Sequence, residues 1–168
     1  MKKGRFFVIE AIDGAGKTTA IKMVKSKLEQ RFRSCVITHE PQEDRPAGIV
    51  FYEAIRNPDS RLSMLQKQEF CVRDRLVHIE NFIRPQLDKG QIVLCDRYMM
   101  STFAHGIFGA SEAELWKLHQ EIIDDKLIIP DSTFVLDVTV EEAQRRLATK
   151  GKLLDQLEKS REGQERTR

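Results

Sequence analysis

The chain has 168 residues, with 28 basic against 26 acidic side chains and a formal net charge of +2. That length suits one domain. The charge balance excludes a dedicated nucleic-acid binder, which carries a strong basic excess. Apolar clusters recur through the first 140 residues, which excludes a disordered chain. No apolar run approaches the roughly 18 residues of a membrane-spanning helix, so no membrane partner is expected. The N-terminus passes from Lys2-Lys3-Gly4-Arg5 directly into an apolar run, without the core of a secretory signal. Cys35, Cys71 and Cys95 are odd in number and widely spaced, which reads as reduced, buried thiols in a cytoplasmic protein.

In chain order, four short apolar runs are expected as strands: Phe6–Ile9, Cys35–Thr38, Ile92–Cys95 and Thr133–Val138. None alternates cleanly, which is the pattern of parallel strands covered on both faces. Helices are expected between them. The first runs from Lys17 to about Arg31, with Ile21, Val24 and Leu28 on one face. A long one spans Leu62 to about Leu87 and carries Leu65, Phe70, Val77, Phe82 and Ile83, with Pro85 near its end. A third covers Glu112 to Lys126, opened by a Ser111–Glu114 capping box, and a fourth covers Val140 to Lys150. Strand–helix alternation of this kind gives an α/β fold with right-handed crossovers.

The first strand runs into Asp13-Gly14-Ala15-Gly16-Lys17-Thr18-Thr19, and a helix follows. This nearly matches the phosphate-binding Walker A loop, in which backbone N–H groups and a helix N-terminus surround an anionic phosphate. Gly14 and Gly16 let the backbone curl closely, Lys17 reaches the outer phosphates, and the Thr18 hydroxyl suits Mg²⁺. Ala11 stands where the pattern has its first glycine, which is tolerable if φ is negative there. No Asn-Lys-x-Asp guanine-reading motif occurs, which argues against a switch GTPase. The third strand ends in Asp96-Arg97-Tyr98, where open α/β sheets bind their ligands. Asp96 suits a metal, and the Arg97 fork suits a phosphate.

Together these motifs resemble the thymidylate kinase family of P-loop nucleoside monophosphate kinases over nearly the whole length. The resemblance rests on Phe7-Val8-Ile9-Glu10, the phosphate loop, Thr38-His39-Glu40-Pro41 and Asp74-Arg75 with His78. It continues through Ile83-Arg84-Pro85-Gln86-Leu87, Asp96-Arg97-Tyr98-Met99-Met100-Ser101-Thr102-Phe103-Ala104, Pro130-Asp131, Leu136-Asp137-Val138 and Arg146. It implies a three-layer P-loop fold that moves the γ-phosphoryl group of Mg²⁺–ATP onto dTMP, in a homodimer.

The resemblance also implies roles. Lys17, Arg97 and Asp13 are the catalytic candidates: Arg97 bridges donor and acceptor phosphates, and Asp13 approaches the sugar 3′-OH and the metal region. ATP falls to Gly14, Ala15, Gly16, Lys17, Thr18, Thr19 and Arg146, and the metal to Thr18 and Asp96. The acceptor falls to Asp13, His39, Arg45, Phe70, Arg75, Arg97, Ser101 and His105. The family stacks a Phe on thymine four residues before the Arg that reads it; here Cys71 holds that place and Phe70 lies one residue earlier. Periodicity alone fits an ordinary core aromatic at Phe70 as well as it fits a stacking one. His39 replaces the family's Arg before Glu-Pro, with Arg45 as a nearby substitute cation. His105-Gly106 replaces a Tyr-Gln pair.

With Gly rather than Arg at position 14, the family's basic lid is expected at about 149–158, carrying Lys150 and Lys152. The whole chain, 1–168, then reads as one kinase domain in which four strands are visible, a fifth family strand is missing, and the C-terminal helix is cut short. Two other readings remain: a kinase for another monophosphate or a deoxynucleoside, and a catalytically weak nucleotide-binding module.

Overall fold

A computed structural model describes residues 3–31, 34–149 and 161–168. Four parallel strands lie in the order β2-β3-β1-β4: β1 (Arg5–Glu10), β2 (Cys35–His39), β3 (Ile92–Asp96) and β4 (Ser132–Val135). The described helices are α1 (Lys17–Arg31), α2 (Pro46–Arg56), α3 (Met64–His78), α4 (Arg84–Asp88), α5 (Met99–Gly106), α6 (Glu112–Ile122), α7 (Val140–Ala148) and α8 (Arg161–Thr167). The expected P-loop-type α/β architecture is present. None of the described helices is long and apolar enough to cross a membrane.

The period-2 rule explains how one apolar strand serves two layers. Phe6, Val8, Val93 and Cys95 point to a core shared with Val72 and Ile79. Ile9, Ile92 and Leu94 point the other way, onto Ile21 of α1. The register pairs Ile9 with Asp96 and His39 with Asp96, so Glu10, His39 and Asp96 gather at the carboxyl end of the sheet. Cys35, Cys71 and Cys95 are free and buried.

Several elements differ from the sequence reading. β4 stops at Val135 rather than Val138, and all four of its residues are exposed, so the sheet is not covered on both faces at this edge. The long helix divides: α3 ends at His78, a π turn covers Ile79–Ile83, and α4 follows. The Arg84 N–H reaches back five residues to the Ile79 carbonyl. Pro85 brings no N–H and its ring crowds the preceding turn, so the helix widens just before it. The helix opened by Ser111 has both capping-box bonds but ends at Ile122, with a 3₁₀ turn at Asp124–Lys126. α7 ends at Ala148 rather than Lys150. Val24 and Val77, expected on inward faces, are exposed. α2 and α5 were not anticipated. α2 starts with Pro46 at its first turn and contains Gly48, both poor helix signals, yet a Cβ at Gly48 would collide with the Gln42 carbonyl.

Candidate active site

β1 delivers the chain into the phosphate loop at Ala11, and α1 begins at Lys17. Gly14 and Gly16 hold φ of +87° and +99°, which side-chain-bearing residues resist. Among the described residues, the only non-glycines with positive φ are Arg97 and Asp124, so Ala11 sits without strain in the first glycine's place. A Cβ on Gly14 would also collide with the Ala143 carbonyl, so α7 packs directly on the loop. Lys17 is buried, and its Nζ donates to the Ala11 carbonyl at 2.9 Å and the Ile12 carbonyl at 3.3 Å, with Asp13 Oδ1 at 3.5 Å. Burial, then the Arg97 charge, lowers its pKa. Thr18 and Thr19 are exposed at the start of α1. Arg146 of α7 donates through Nη1 to the Ala15 carbonyl at 3.1 Å and pairs with Glu142, which fixes it beside the loop.

At the end of β3, Arg97 adopts φ +69°, and its N–H donates to the Ile9 carbonyl. This turn throws its guanidinium across to the phosphate loop, where Nη2 donates to Asp13 Oδ2 at 2.6 Å and Nη1 to Ser101 Oγ at 3.3 Å. Asp96 keeps Oδ1 buried and without a hydrogen-bond partner. Burial raises its pKa, against the lowering effects of Lys17 and Arg97. His105 Nδ1 donates to the Ser101 carbonyl at 3.1 Å, and burial pushes its pKa down to about 4, so the ring is neutral at pH 7. Asp13, Arg97, Ser101 and His105 line one cavity of about 140 Å³.

Two buried carboxylates that the sequence reading left without a role organise this end of the sheet. Glu10 accepts from the Tyr98 N–H at 2.8 Å and from Ser101 Oγ at 2.6 Å, which locks the turn carrying Arg97. Glu40 accepts from Arg75 Nε at 2.7 Å and His78 Nδ1 at 2.8 Å. An acid at a strand's carboxyl end was the available signal for both. Glu40, His78 and Cys95 lie close enough to hold a metal. Both His78 nitrogens are engaged, however, with Nε2 at 2.6 Å from Thr38 Oγ1, so this is a structural knot.

The remaining sequence-predicted residues are placed as follows. Arg75 is 1% exposed, held by Glu40 and by His119 Nε2 at 2.8 Å, with its guanidinium over the Tyr98 ring. Phe70 is half-buried on α3, and Cys71 is buried with its thiol 3.7 Å from Thr102 Oγ1. Neither Phe70 nor Arg75 lines the cavity. His39 is exposed at the end of β2. Arg45 faces the buried Asp74 at 3.8 Å, and its Nη1 is buried without a hydrogen-bond partner. Lys150, Lys152 and all of the expected 149–158 lid beyond Thr149 lie outside the described residues.

A family model described as thymidylate kinase matches residues 9–168. The chain is 37% identical over 160 residues to a thymidylate kinase of Prochlorococcus marinus, covering 86% of this chain and 71% of that protein. It is 31% identical over 158 residues to the thymidylate kinase of Exiguobacterium sibiricum, covering 92% and 73%. The crystal structure of thymidylate kinase from Ehrlichia chaffeensis superposes with a TM-score of 0.68 at 28% identity, over 86% of this chain and 77% of that one.

Proposed function

The chain belongs to the thymidylate kinase family, and from that premise we propose that it transfers the γ-phosphoryl group of ATP to dTMP, giving dTDP and ADP. One observation carries the reading: Arg97 spans from the end of β3 to Asp13 of the phosphate loop, so a fixed cation stands where donor and acceptor phosphates must meet. Phosphoryl transfer needs in-line positioning and charge neutralisation more than covalent chemistry.

The loop from Gly14 to Thr19 and the N-terminus of α1 receive the ATP phosphates. Lys17 gives up its carbonyl partners for phosphate oxygens, and Arg146 closes the ATP side. Arg97 exchanges Asp13 for the incoming phosphates, while Asp13 turns to the acceptor. The acceptor extends into the cavity past Ser101 and His105, while His39 and Arg45 are not among the cavity's lining residues. Glu10 keeps the Arg97 turn from moving when charge accumulates.

The residues fit a Mg²⁺ ion. Asp96 holds a buried, unpartnered carboxylate oxygen, and the exposed Thr18 hydroxyl opens α1. An ion held there would neutralise charge on the transferring phosphates. The groove between α3 and α6, where Leu76, Val77, Leu118 and Ile122 lie among Glu69, Arg73 and Glu121, supports a homodimer. The three free thiols support a reducing, cytoplasmic setting.

The test is ADP release with Mg²⁺–ATP across dTMP, dUMP, UMP, dCMP, dGMP and thymidine. Turnover highest with dTMP is expected. Turnover with another acceptor and none with dTMP would favour a different kinase, the reading that Arg75's commitment to Glu40 and His119 supports.

A further inference from the structure

The cavity beside Asp13 has one wall that phosphoryl transfer does not use. That wall is α8, which packs against α5 and α7. The helix is tied down without help from Gln164: the Arg166 guanidinium covers the Phe108 ring at 4.5 Å, and Arg168 forms a forked pair with Asp137. Gln164 lines the cavity and is 2% exposed, yet both its amide Nε2 and its Oε1 are buried without a hydrogen-bond partner. Burying both halves of an amide unpaired is unfavourable, and such a group marks a place where a partner is supplied from outside.

The chemistry of that partner follows from the amide and its surroundings. A phosphate would use only the Nε2 donor and would set negative charge against the Oε1 lone pairs. A hydroxyl suits either half, donating to Oε1 or accepting from Nε2. His105, on the same cavity, adds an acceptor: its Nδ1 proton is spent on the Ser101 carbonyl, leaving Nε2 with a lone pair. The acceptor phosphate belongs beside Arg97 and Asp13, and the sugar follows it by a single C–O linkage. A sugar therefore enters this cavity, and dTMP carries one free sugar hydroxyl, at the 3′ position.

We propose that Gln164 is a specificity-determining residue that hydrogen-bonds the sugar 3′-hydroxyl of the bound monophosphate. The proposal rests on the kinase reading above and adds to it the contribution of the C-terminal helix. Gln164 does not touch the transferring phosphoryl group.

The experiment compares binding of dTMP and 3′-deoxythymidine monophosphate, by calorimetry, to the wild type and to Gln164→Leu, which keeps the volume and removes the amide. The wild type is expected to bind dTMP three- to tenfold tighter than its 3′-deoxy analogue, the range of one neutral hydrogen bond. In Gln164→Leu the preference for dTMP should shrink by most of that factor, any remainder belonging to Asp13 on the same cavity, with ATP affinity unchanged. The melting temperature of the free variant should stay level or rise, since an unpaired buried amide has gone. Gln164→Met gives the same comparison if the leucine variant folds poorly. Full discrimination in either variant, or equal weakening of both ligands, overturns the assignment while leaving the kinase reading intact. A wild type that binds dTMP tighter than the analogue but forms no dTDP overturns the kinase reading alone. A wild type that binds neither nucleotide overturns both.

Discussion

Arg97 sits in the left-handed region at φ +69°, a conformation that costs a non-glycine residue about 1 kcal/mol or more. Its backbone N–H is held by the Ile9 carbonyl, and the following N–H by Glu10, so the strained turn is over-determined. The result is a guanidinium aimed at the phosphate loop before any ligand arrives. Lys17 is poised in the same way, resting on two loop carbonyls. A charge-assisted hydrogen bond contributes about 1.5–3 kcal/mol, and about 1.4 kcal/mol is tenfold in rate. Lys17→Ala and Arg97→Ala are each expected to lower kcat/KM at least tenfold, with the fold retained by circular dichroism. Near-normal turnover in either purified variant would remove the assigned role. The motif residues were legible because their chemistry is tied to a fixed spacing after a strand. Glu10 was less so, because nothing local marks it as the lock on a turn 88 residues away. Gln164 lay in a polar, basic-rich tail whose pattern gave no sign that one amide would be buried.

Between elements, the deciding feature is the knot of β2, α3 and α6, where Glu40 accepts from Arg75 and His78 while His119 faces Arg75 Nη1. Arg75 and His78 recur at a three-residue spacing that also fits a solvated helix face, so the sequence could not separate a substrate contact from a buried ion pair. The partners come from chain positions 35 and 44 residues away. Burial, then the neighbouring Arg75 charge, pushes the His119 pKa down from 6.5 to about 4. The unfolded chain therefore takes up the His119 proton first as pH falls. Stability linked to this group is fully present above about pH 6.5 and is lost progressively down to about pH 4. Asp74 and Asp96, with raised pKa values, act in the opposite direction but are common to both proteins compared. Between pH 7.5 and 5, the wild type is expected to lose more melting temperature than His119→Gln, which keeps an acceptor for Arg75. Parallel curves would show that His119 does not couple folding to protons.

At the scale of the molecule, the parallel strands and the α1 crossover were readable from short apolar runs and one loop motif. The misread parts have common physical causes. α2 hides its helical character behind Pro46 and Gly48, which serve the helix start and a close backbone contact. The Leu62–Leu87 pattern hides a π turn because one extra residue shifts the phase of the apolar stripe only once, and the adjacent Phe82 and Ile83 cover both phases. β4 is exposed along its length because, among the described residues, it pairs only with β1. The sheet's carboxyl end brings Asp13 and Lys17 of the phosphate loop and α1 together with Asp96 and Arg97 at the end of β3. The proposed function makes one claim about these residues: together they transfer a phosphoryl group from ATP to dTMP. The most direct measurement follows the phosphorus signals of a mixture of Mg²⁺–ATP, dTMP and the purified chain by NMR. The account predicts loss of the γ-phosphate resonance in step with equal growth of dTDP and ADP, and no free inorganic phosphate. ATP consumed with release of inorganic phosphate, or ATP left intact beside unchanged dTMP, would contradict it.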